Sequence, residues 1–378
     1  MNFDYTEEQR LLADSVERFV ANDYGFEARA RFIGSPEGHS PEAWRKMAEM
    51  GLLALPLPAD AGGFGGGAVD LMAVMDAIGY ALVVEPYLAT VGLGAQLLAR
   101  GGSAAQKDEV LPRVAEGDVR LAFAHTEDGG RYDPAFVATR ARRDGGSFVI
   151  DGAKRVVLHA PQAHELVVAV RTGGAGAGDP GGISLLRVPA TSPGMAMRAC
   201  RTLDGVRAAD IDFKAVRVGG DALVGPEHGA LPLIEEVLDF ATALVCAEAV
   251  GALRYANEAT LEYLKTRKQF GVPIGSFQAL QHRMVDMVIS AEQAKSMASL
   301  ACTRVDTCRD AAERRRTVSM AKIKIADACR HVSQESVQLH GGMGMSDELK
   351  VSHTFRRLTV LAQQFGDADY HLARYAAA

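Results

Sequence analysis

Arg267-Lys268-Gln269-Phe270-Gly271-Val272-Pro273-Ile274-Gly275-Ser276-Phe277-Gln278-Ala279-Leu280-Gln281 lies between two long helical patterns, and its surroundings decide the fold. Upstream, Ala230 to Thr266 reads as one long apolar-rich helix or two in series. Downstream, Leu280, Met284, Met287, Ala291, Ala294, Ala298 and Ala301 recur at three/four spacing, the stripe of a helix that packs on its neighbours. Val318 to Leu339 forms a further helix, stopped by Gly341-Gly342. Ser346 is placed to cap a fourth, running to about Gln364. Met and Ala stripes on such helices are core packing in an antiparallel bundle.

Working back toward the N-terminus, the pattern changes. Leu121–Ala124, Phe136–Ala141, Ser147–Ile150, Glu165–Val170 and Gly182–Val188 are short β-rich runs separated by Gly and Asp. Their spacing predicts a small antiparallel barrel or sandwich. Asp144-Gly145-Gly146 and Asp151-Gly152 read as turns, and residues 173–182 as a flexible surface loop. The first third is helical. Thr6 before Glu7-Glu8-Gln9 is a capping-box start, followed by Leu11, Leu12, Val16, Phe19 and Val20. Ser40-Pro41-Glu42 opens another helix, and the glycines of residues 59–67 make a loop. That Gly run has no Lys-Ser/Thr and no preceding strand, so it is not a phosphate loop. The expected class is α+β, mostly α: a helical domain over 1–118, a β-barrel domain over 119–226 and a four-helix bundle over 227–378.

Composition narrows the function. The chain has 378 residues, 48% hydrophobic and 23% charged, which suits a multi-domain globular protein. A net charge of -6 gives no electrostatic case for nucleic acid or an anionic membrane. The basic run Glu313-Arg314-Arg315-Arg316 reads as a solvated helix start. Five scattered cysteines, with Cys302 and Cys308 six apart, match no metal pattern. Cys246, within Ala243–Ala247, reads as a core residue. The reducing cytoplasm fits this usage. Met1 to Glu8 is acidic and lacks a signal-peptide core, and no apolar run reaches the roughly 18 residues of a spanning helix.

The opening stretch, together with Gln338-Leu339-His340-Gly341-Gly342-Met343-Gly344, closely resembles the flavin-clamping half of the acyl-CoA dehydrogenase superfamily. The α, β, α block order, the 55–67 loop and the Asp151-Gly152-Ala153-Lys154 turn extend the resemblance over the whole chain. It implies FAD at a dimer interface, held by two chains. Arg267 matches the position that reaches the pyrophosphate, Phe270 packs on the cofactor and Gln278 supplies an amide. Gln338, Gly341 and Gly342 match the segment where backbone comes close to it. Thr126, in His125-Thr126-Glu127, matches the strand threonine near the flavin.

The other half of the pattern departs. Where the family carries Trp-Ile-Thr, this chain has Val156-Val157-Leu158, and the flavin-bonding hydroxyl is gone. Tyr-Glu-Gly-Thr appears as Gln364-Phe365-Gly366-Asp367, which puts Phe365 at the glutamate position. The alternative base position, early in the long helix, aligns with Ala241-Thr242. Desaturation removes a proton from the α-carbon, and that proton needs a base within hydrogen-bond reach. Phenylalanine and alanine cannot accept it, so no catalytic residue is assigned. Asp367 reads as the cap of a helix over residues 368–376. Glu248 lies two turns, about 10 Å, past Ala241 and does not replace the glutamate. His159 and His340 read as structural.

Ser352 to Thr359 and Phe365 to Asp369 resemble the smaller, non-catalytic subunits of bacterial heteromeric acyl-CoA dehydrogenases. The resemblance implies an α2β2 dimer of dimers, a homologous catalytic subunit and an acyl-CoA thioester substrate. It implies bulky or dicarboxylic acyl groups, including steroid side chains and pimeloyl-CoA, and electron transfer to an electron-transfer flavoprotein. Two alternatives stay open. One is a homo-oligomeric flavoprotein with altered, non-oxidative chemistry, such as desulfination of an acyl-CoA. The other is a dehydrogenase with an unrecognised base.

Overall fold

The computed structural model describes residues 6–378; residues 1–5 of the acidic N-terminal stretch lie outside them. The first helix is α1 (Glu7–Asp23), with Thr6 and Gln9 closing the capping box and Val16, Phe19 and Val20 buried. It is followed by α2 (Phe26–Gly34) and α3 (Pro41–Glu49), the latter capped by the Ser40 hydroxyl with Pro41 in its first turn. Next come α4 (Ala68–Ala81), a π-helical stretch (Leu88–Gly94), α5 (Ala95–Gly101) and α6 (Ala104–Ala115). The strands are β1 (Leu121–Ala124), β2 (Arg140–Asp144), β3 (Ser147–Leu158), β4 (Glu165–Arg171), β5 (Ile183–Pro189), β6 (Met195–Arg201), β7 (Arg207–Gly219) and β8 (Leu223–Val224). The long helices α7 (Leu231–Thr266), α8 (Gln278–Thr307) and α9 (Ala311–His340) follow, then α10 (Lys350–Gln363) and α11 (Ala368–Ala376). Between α7 and α8 lies a hairpin of β9 (Lys268–Gln269) and β10 (Val272–Pro273).

By internal packing the chain divides into two compact units. The helical one gathers the described residues up to Arg31, Gly67–Val83 and Thr242–Ala378. Its long helices meet where side chains are small. A Cβ on Gly79 of α4 would strike the Glu248 carbonyl, and one on Gly251 of α7 would strike the Asp76 carbonyl. Glycine at both positions lets the two helix backbones touch. The expected α8 stripe is seen: Met284, Met287, Ala294, Ala298 and Ala301 are buried. Asp306, near the end of α8, accepts hydrogen bonds from the Ala68 and Val69 amides at 2.8 and 2.9 Å, and so caps α4 from outside its own segment.

The other unit holds Phe32–Gly66 and Val84–Ala241. Its sheet runs β6-β7-β3-β2-β4-β5-β8, with β1 beside β4. Most pairs are antiparallel, but β1 runs parallel to β4. Flanked on both sides, β4 reads Leu-Val-Val-Ala-Val and is buried along its length, as a central strand requires. Phe148, Ile150, Leu166, Val168, Leu186, Val188, Ile211 and Phe213 form the core of this sheet.

Four expectations need correction. The strand expected over Phe136–Ala141 is displaced: β2 starts only at Arg140, and residues 136–139 lie outside any strand. Asp144-Gly145-Gly146 is a hairpin turn, but Asp151-Gly152 is not. Strand β3 continues through it, and Gly152 absorbs a bulge at φ 146° opposite Phe213 of β7. Residues 173–182 are not a free loop: the Arg171 guanidinium holds them from within. Ser346 does not start α10 directly; its hydroxyl accepts the Glu348 amide one turn earlier.

Candidate functional site

The hairpin after α7 is built by its glycines and proline. Phe270 and Gly271 both have positive φ, 56° and 82°, the geometry of a tight two-residue turn between twisted strands. The Ile274 amide closes the hairpin onto the Arg267 carbonyl at 2.8 Å. Gly275 lets the chain pass against the Leu264 carbonyl. The result displays rather than buries its side chains. Phe270 is 90% exposed and meets Phe277 edge-on at 6.1 Å. Gln278, first residue of α8, is exposed. The Arg267 guanidinium is exposed and has no hydrogen bond or ion pair with the described residues.

The end of α9 is fixed beside this hairpin. His340 is buried and stacks on Tyr263 of α7 with ring centroids 4.5 Å apart. Its Nδ1 donates to the Ser336 carbonyl at 2.8 Å, and Thr260 and Ser336 share a hydroxyl contact of 2.9 Å. Burial pushes the His340 pKa down, so the ring is a neutral strut. Beyond it Gln338 is exposed, and Gly341 adopts φ 60°, ψ -143°, a conformation essentially reserved for glycine. Gly342 is also exposed, and a Cβ there would project into open space. Thus Arg267, Phe270, Gln278, Gln338, Gly341 and Gly342 lie on two segments that the Tyr263–His340 stack ties together.

The loop between α10 and α11 is organised from below by Lys322 of α9. This lysine is fully buried and donates to the carbonyls of Ala362 and Gly366, both at 2.9 Å. His371, also buried, places Nε2 3.2 Å from the Phe365 carbonyl. Phe365 is thereby held at φ 60° and Gly366 at φ 128°. A Cβ on Gly366 would collide with Tyr370 and His371. Asp367 caps α11 by accepting the Tyr370 amide at 2.8 Å, as its sequence position suggests. The amide oxygen of Gln364 is buried without a hydrogen-bond partner. Beside this loop a groove of about 1250 Å³ runs between α8, α9, α10 and α11, lined by Met320, Ile323, Thr359, Gln363, Asp367 and Leu372 among others.

Neither of the two positions that the resemblance assigns to a base carries an acid. Phe365 holds one, and Ala241, fully buried in α7, holds the other. Glu248 is committed to Arg357 of α10, whose Nε lies 2.6 Å away. His159 sits with Nδ1 2.7 Å from Gln162 Oε1 in a buried turn.

In the sheet unit, Thr126 is exposed and its carbonyl accepts the Arg155 amide at 2.8 Å. Its neighbours are fixed by a buried pair, Lys154 and Glu127, whose meeting is set by tertiary packing. Lys154 Nζ lies 2.6 Å from Glu127 Oε1 and 3.1 Å from the His125 carbonyl. Glu127 also accepts the Ala138 and Thr139 amides. Burial pushes the Lys154 pKa down to about 8 despite its partner, and burial with Lys154 nearby pushes His125 down to about 4. Burial would raise the Glu127 pKa, but Lys154 and the Thr139 amide hold it below the usual carboxylate range. Downstream, Val156 is half exposed at φ 49°, on a bulge closed by its amide to Asp210 Oδ1 at 3.0 Å. A β-branched residue there is strained by roughly 1–2 kcal/mol. Val157 is buried and Leu158 half-buried, so this strand end offers no side-chain donor.

A dinucleotide cofactor fits the hairpin side. A guanidinium, two side-chain amides and a bare glycine backbone stand exposed there and uncommitted, the donor set that phosphate oxygens need. Among the described residues no cluster of His, Cys, Asp and Glu could hold a metal ion, and no helix is long and apolar enough to cross a membrane.

Comparison with known proteins agrees along the length of the chain. The sequence matches the models described as acyl-CoA dehydrogenase N-terminal domain over residues 6–118, middle domain over 122–216 and C-terminal domain over 230–378. Acyl-CoA dehydrogenase FadE12 of Mycobacterium tuberculosis is 32% identical over 360 residues, covering 93% of this chain and 90% of its own. The ChsE4–ChsE5 complex, also from Mycobacterium tuberculosis, contains a chain with TM-score 0.90 and 26% identity, covering 100% of this chain and 98% of its own. Butyryl-CoA dehydrogenase from Megasphaera elsdenii shares the fold, with TM-score 0.91 at 22% identity, covering 100% of this chain and 99% of its own.

Proposed function

Because the chain belongs to the acyl-CoA dehydrogenase family, a family of FAD-dependent oxidoreductases acting on acyl-CoA, we propose that it is the non-catalytic subunit of a heteromeric member. In this reading it lends the FAD diphosphate clamp to a homologous chain that supplies the base. Bound FAD supplies the acceptor for the hydride leaving the β-carbon of the thioester. Arg267 would bind the pyrophosphate, Gln278 would add an amide, Phe270 would pack on the cofactor, and the segment of Gln338, Gly341 and Gly342 would admit it to the backbone. Thr126 is the remaining contact of the sheet unit. The division into domains at 118/119 and 226/227 belongs to the same reading.

One observation carries the proposal: both base positions, Phe365 and Ala241, are apolar, while the clamp side chains stand exposed and uncommitted. The surface near the clamp supports a partner chain. Phe270, Val272 and Phe277 are exposed, and Val285, Val288 and Ile289 share one exposed face of α8. Contiguous apolar surface of this kind marks an interface. The ChsE4–ChsE5 complex, one chain of which has this fold, is a precedent for such a chain within a complex. An α2β2 assembly, bulky acyl groups such as steroid side chains, and electron transfer to an electron-transfer flavoprotein follow from the resemblance. Cytoplasmic residence is supported by five cysteines that are all free.

The test is bound FAD per chain, read from the visible flavin spectrum. The chain expressed alone should retain little flavin, and co-expression with its catalytic partner should restore it. In that complex Arg267→Ala should weaken FAD retention by about tenfold or more, the loss of a charge-assisted fork to phosphate. One tight FAD per chain in the isolated protein would overturn the partner requirement. Unchanged retention in the variant would remove Arg267 from the clamp.

Phe365→Glu should not produce a good dehydrogenase. The residue sits at φ 60°, its carbonyl is held by His371, and Leu158 gives no hydroxyl to the flavin. Steady-state turnover of acyl-CoA with an artificial electron acceptor should stay near background. A large gain would mean that only the carboxylate was missing.

A further inference from the structure

Away from the clamp, the helical unit contains a second concave feature, a cleft of about 340 Å³ between α1, α4, α7 and the first residue of α10. Its walls are mainly apolar: Val20, Tyr24, Phe26, Ala77 and Ala81 contribute. At one end stands Lys350. Its Nζ lies 3.8 Å from the centre of the Tyr255 ring and 5.0 Å from that of Tyr80. The two rings meet edge-on at 5.4 Å.

The carboxylates around this lysine are directed to Arg254 rather than to it. Asp76, Glu17 and Glu258 all address Arg254, at 2.5, 3.4 and 3.9 Å. Glu258 also accepts the Tyr80 hydroxyl at 2.9 Å. Arg29 donates to the Leu82 carbonyl and contacts His353 Nδ1. Among the described residues no carboxylate lies within ion-pairing distance of Lys350, which has only ring faces on its inner side. Burial, with Arg29 and Arg254 close by, pushes its pKa down to about 8 against the opposing pull of Glu258. A cation so placed gains most from an anion that brings its own apolar body into the cleft.

We propose that this cleft binds a small organic monocarboxylate, with the carboxylate on Lys350 and a short aliphatic chain or single aromatic ring against Tyr24, Phe26 and Tyr80. A phosphate suits it poorly, because the other cation on its walls, Arg254, is already held by Asp76, Glu17 and Glu258, and Glu17 on the lining repels a dianion. The site shares no residue with the clamp, so the proposal stands apart from the subunit reading.

Ligand-observed NMR on the assembled protein tests it, with benzoate and hexanoate as probes and benzamide and hexanamide as neutral counterparts. The acids should bind at least about tenfold more tightly than the amides. Lys350→Met should remove that preference. Gly25 lines the cleft, and a Cβ there meets no atom within 4 Å, so Gly25→Leu can be accommodated and should block acids and amides alike. Should Lys350→Met fail to fold, Lys350→Gln gives the same comparison. Equal binding of acids and amides, no binding of the acids to the unmodified protein, or an unchanged acid preference in the lysine variant would each overturn the proposal.

Discussion

Glu248→Ala is expected to destabilise the helical unit by about 3–5 kcal/mol, the cost of leaving a buried partner charge uncompensated. The Glu248 side chain is 1% exposed and that of Arg357 13% exposed, with the closest approach 2.5 Å. Water cannot replace the carboxylate at such a site, so the guanidinium keeps its desolvation cost and loses its attraction. The pair joins α7 to α10, and α10 leads into the loop that carries Phe365. Flavin retention in the complex should therefore fall together with stability. A double substitution, Glu248→Met with Arg357→Met, removes both charges and should recover much of the loss, because well-packed apolar residues substitute for a buried pair at little net cost. Urea unfolding of the two single variants and the double variant gives the coupling directly. A loss below about 1 kcal/mol for Glu248→Ala would place the pair with solvated surface bridges instead.

That pair also shows where sequence reasoning stops. Glu248 can be set aside as a base from its distance along α7, but nothing near it in sequence points to Arg357, 109 residues away. Lys322 is similar. It lies on the buried face of α9 with Val318, Ser319, Ile325 and Ala326, and a lysine in that stripe was the available signal. Its acceptors, the Ala362 and Gly366 carbonyls, are set by tertiary packing. The clamp was legible for the opposite reason: Arg267 to Gln281 is one short stretch whose turn and exposure are local properties.

The same distinction separates the elements. Helix starts at Thr6 and Ser40 were readable because a cap is a contact over three residues. Strands β6 and β7 were not, although β7 is the longest in the sheet. Met195–Arg201 and Arg207–Gly219 are rich in Ala, Arg and Asp, which have little strand preference of their own. They are strands because β7 pairs with β3 on one side and β6 on the other. That pairing also overrides the local turn signal of Asp151-Gly152 and converts it into a bulge.

The loop over residues 173–182 carries this argument to its largest consequence in the sheet unit. Its composition, rich in Gly and Ala, is that of a mobile segment, yet Arg171 at the end of β4 orders it. The guanidinium, 5% exposed, donates to the carbonyls of Val137 and Gly181 at 2.7 Å, Ala177 at 2.8 Å, Asp179 at 2.9 Å and Ala135 at 3.2 Å. Arg171→Ala is expected to cost about 3–4 kcal/mol, less than the sum of its separate bonds at roughly 1.5–3 kcal/mol each. The sum is not reached because the loop can open and return its carbonyls to water, whereas the buried Val137 cannot. Amide exchange should accelerate across residues 173–182 and at Val137, whose amide donates to Ala177 at 2.8 Å. Arg171→Lys should recover little, since an ammonium cannot span acceptors arranged for a planar fork. Exchange rates unchanged in Arg171→Ala would mean that the Asp179 carboxylate, which accepts the Ala175 and Gly181 amides, holds the loop unaided. Rapid exchange with the rest of the sheet still protected would show that a single buried cation supplies the order that the loop's own residues lack.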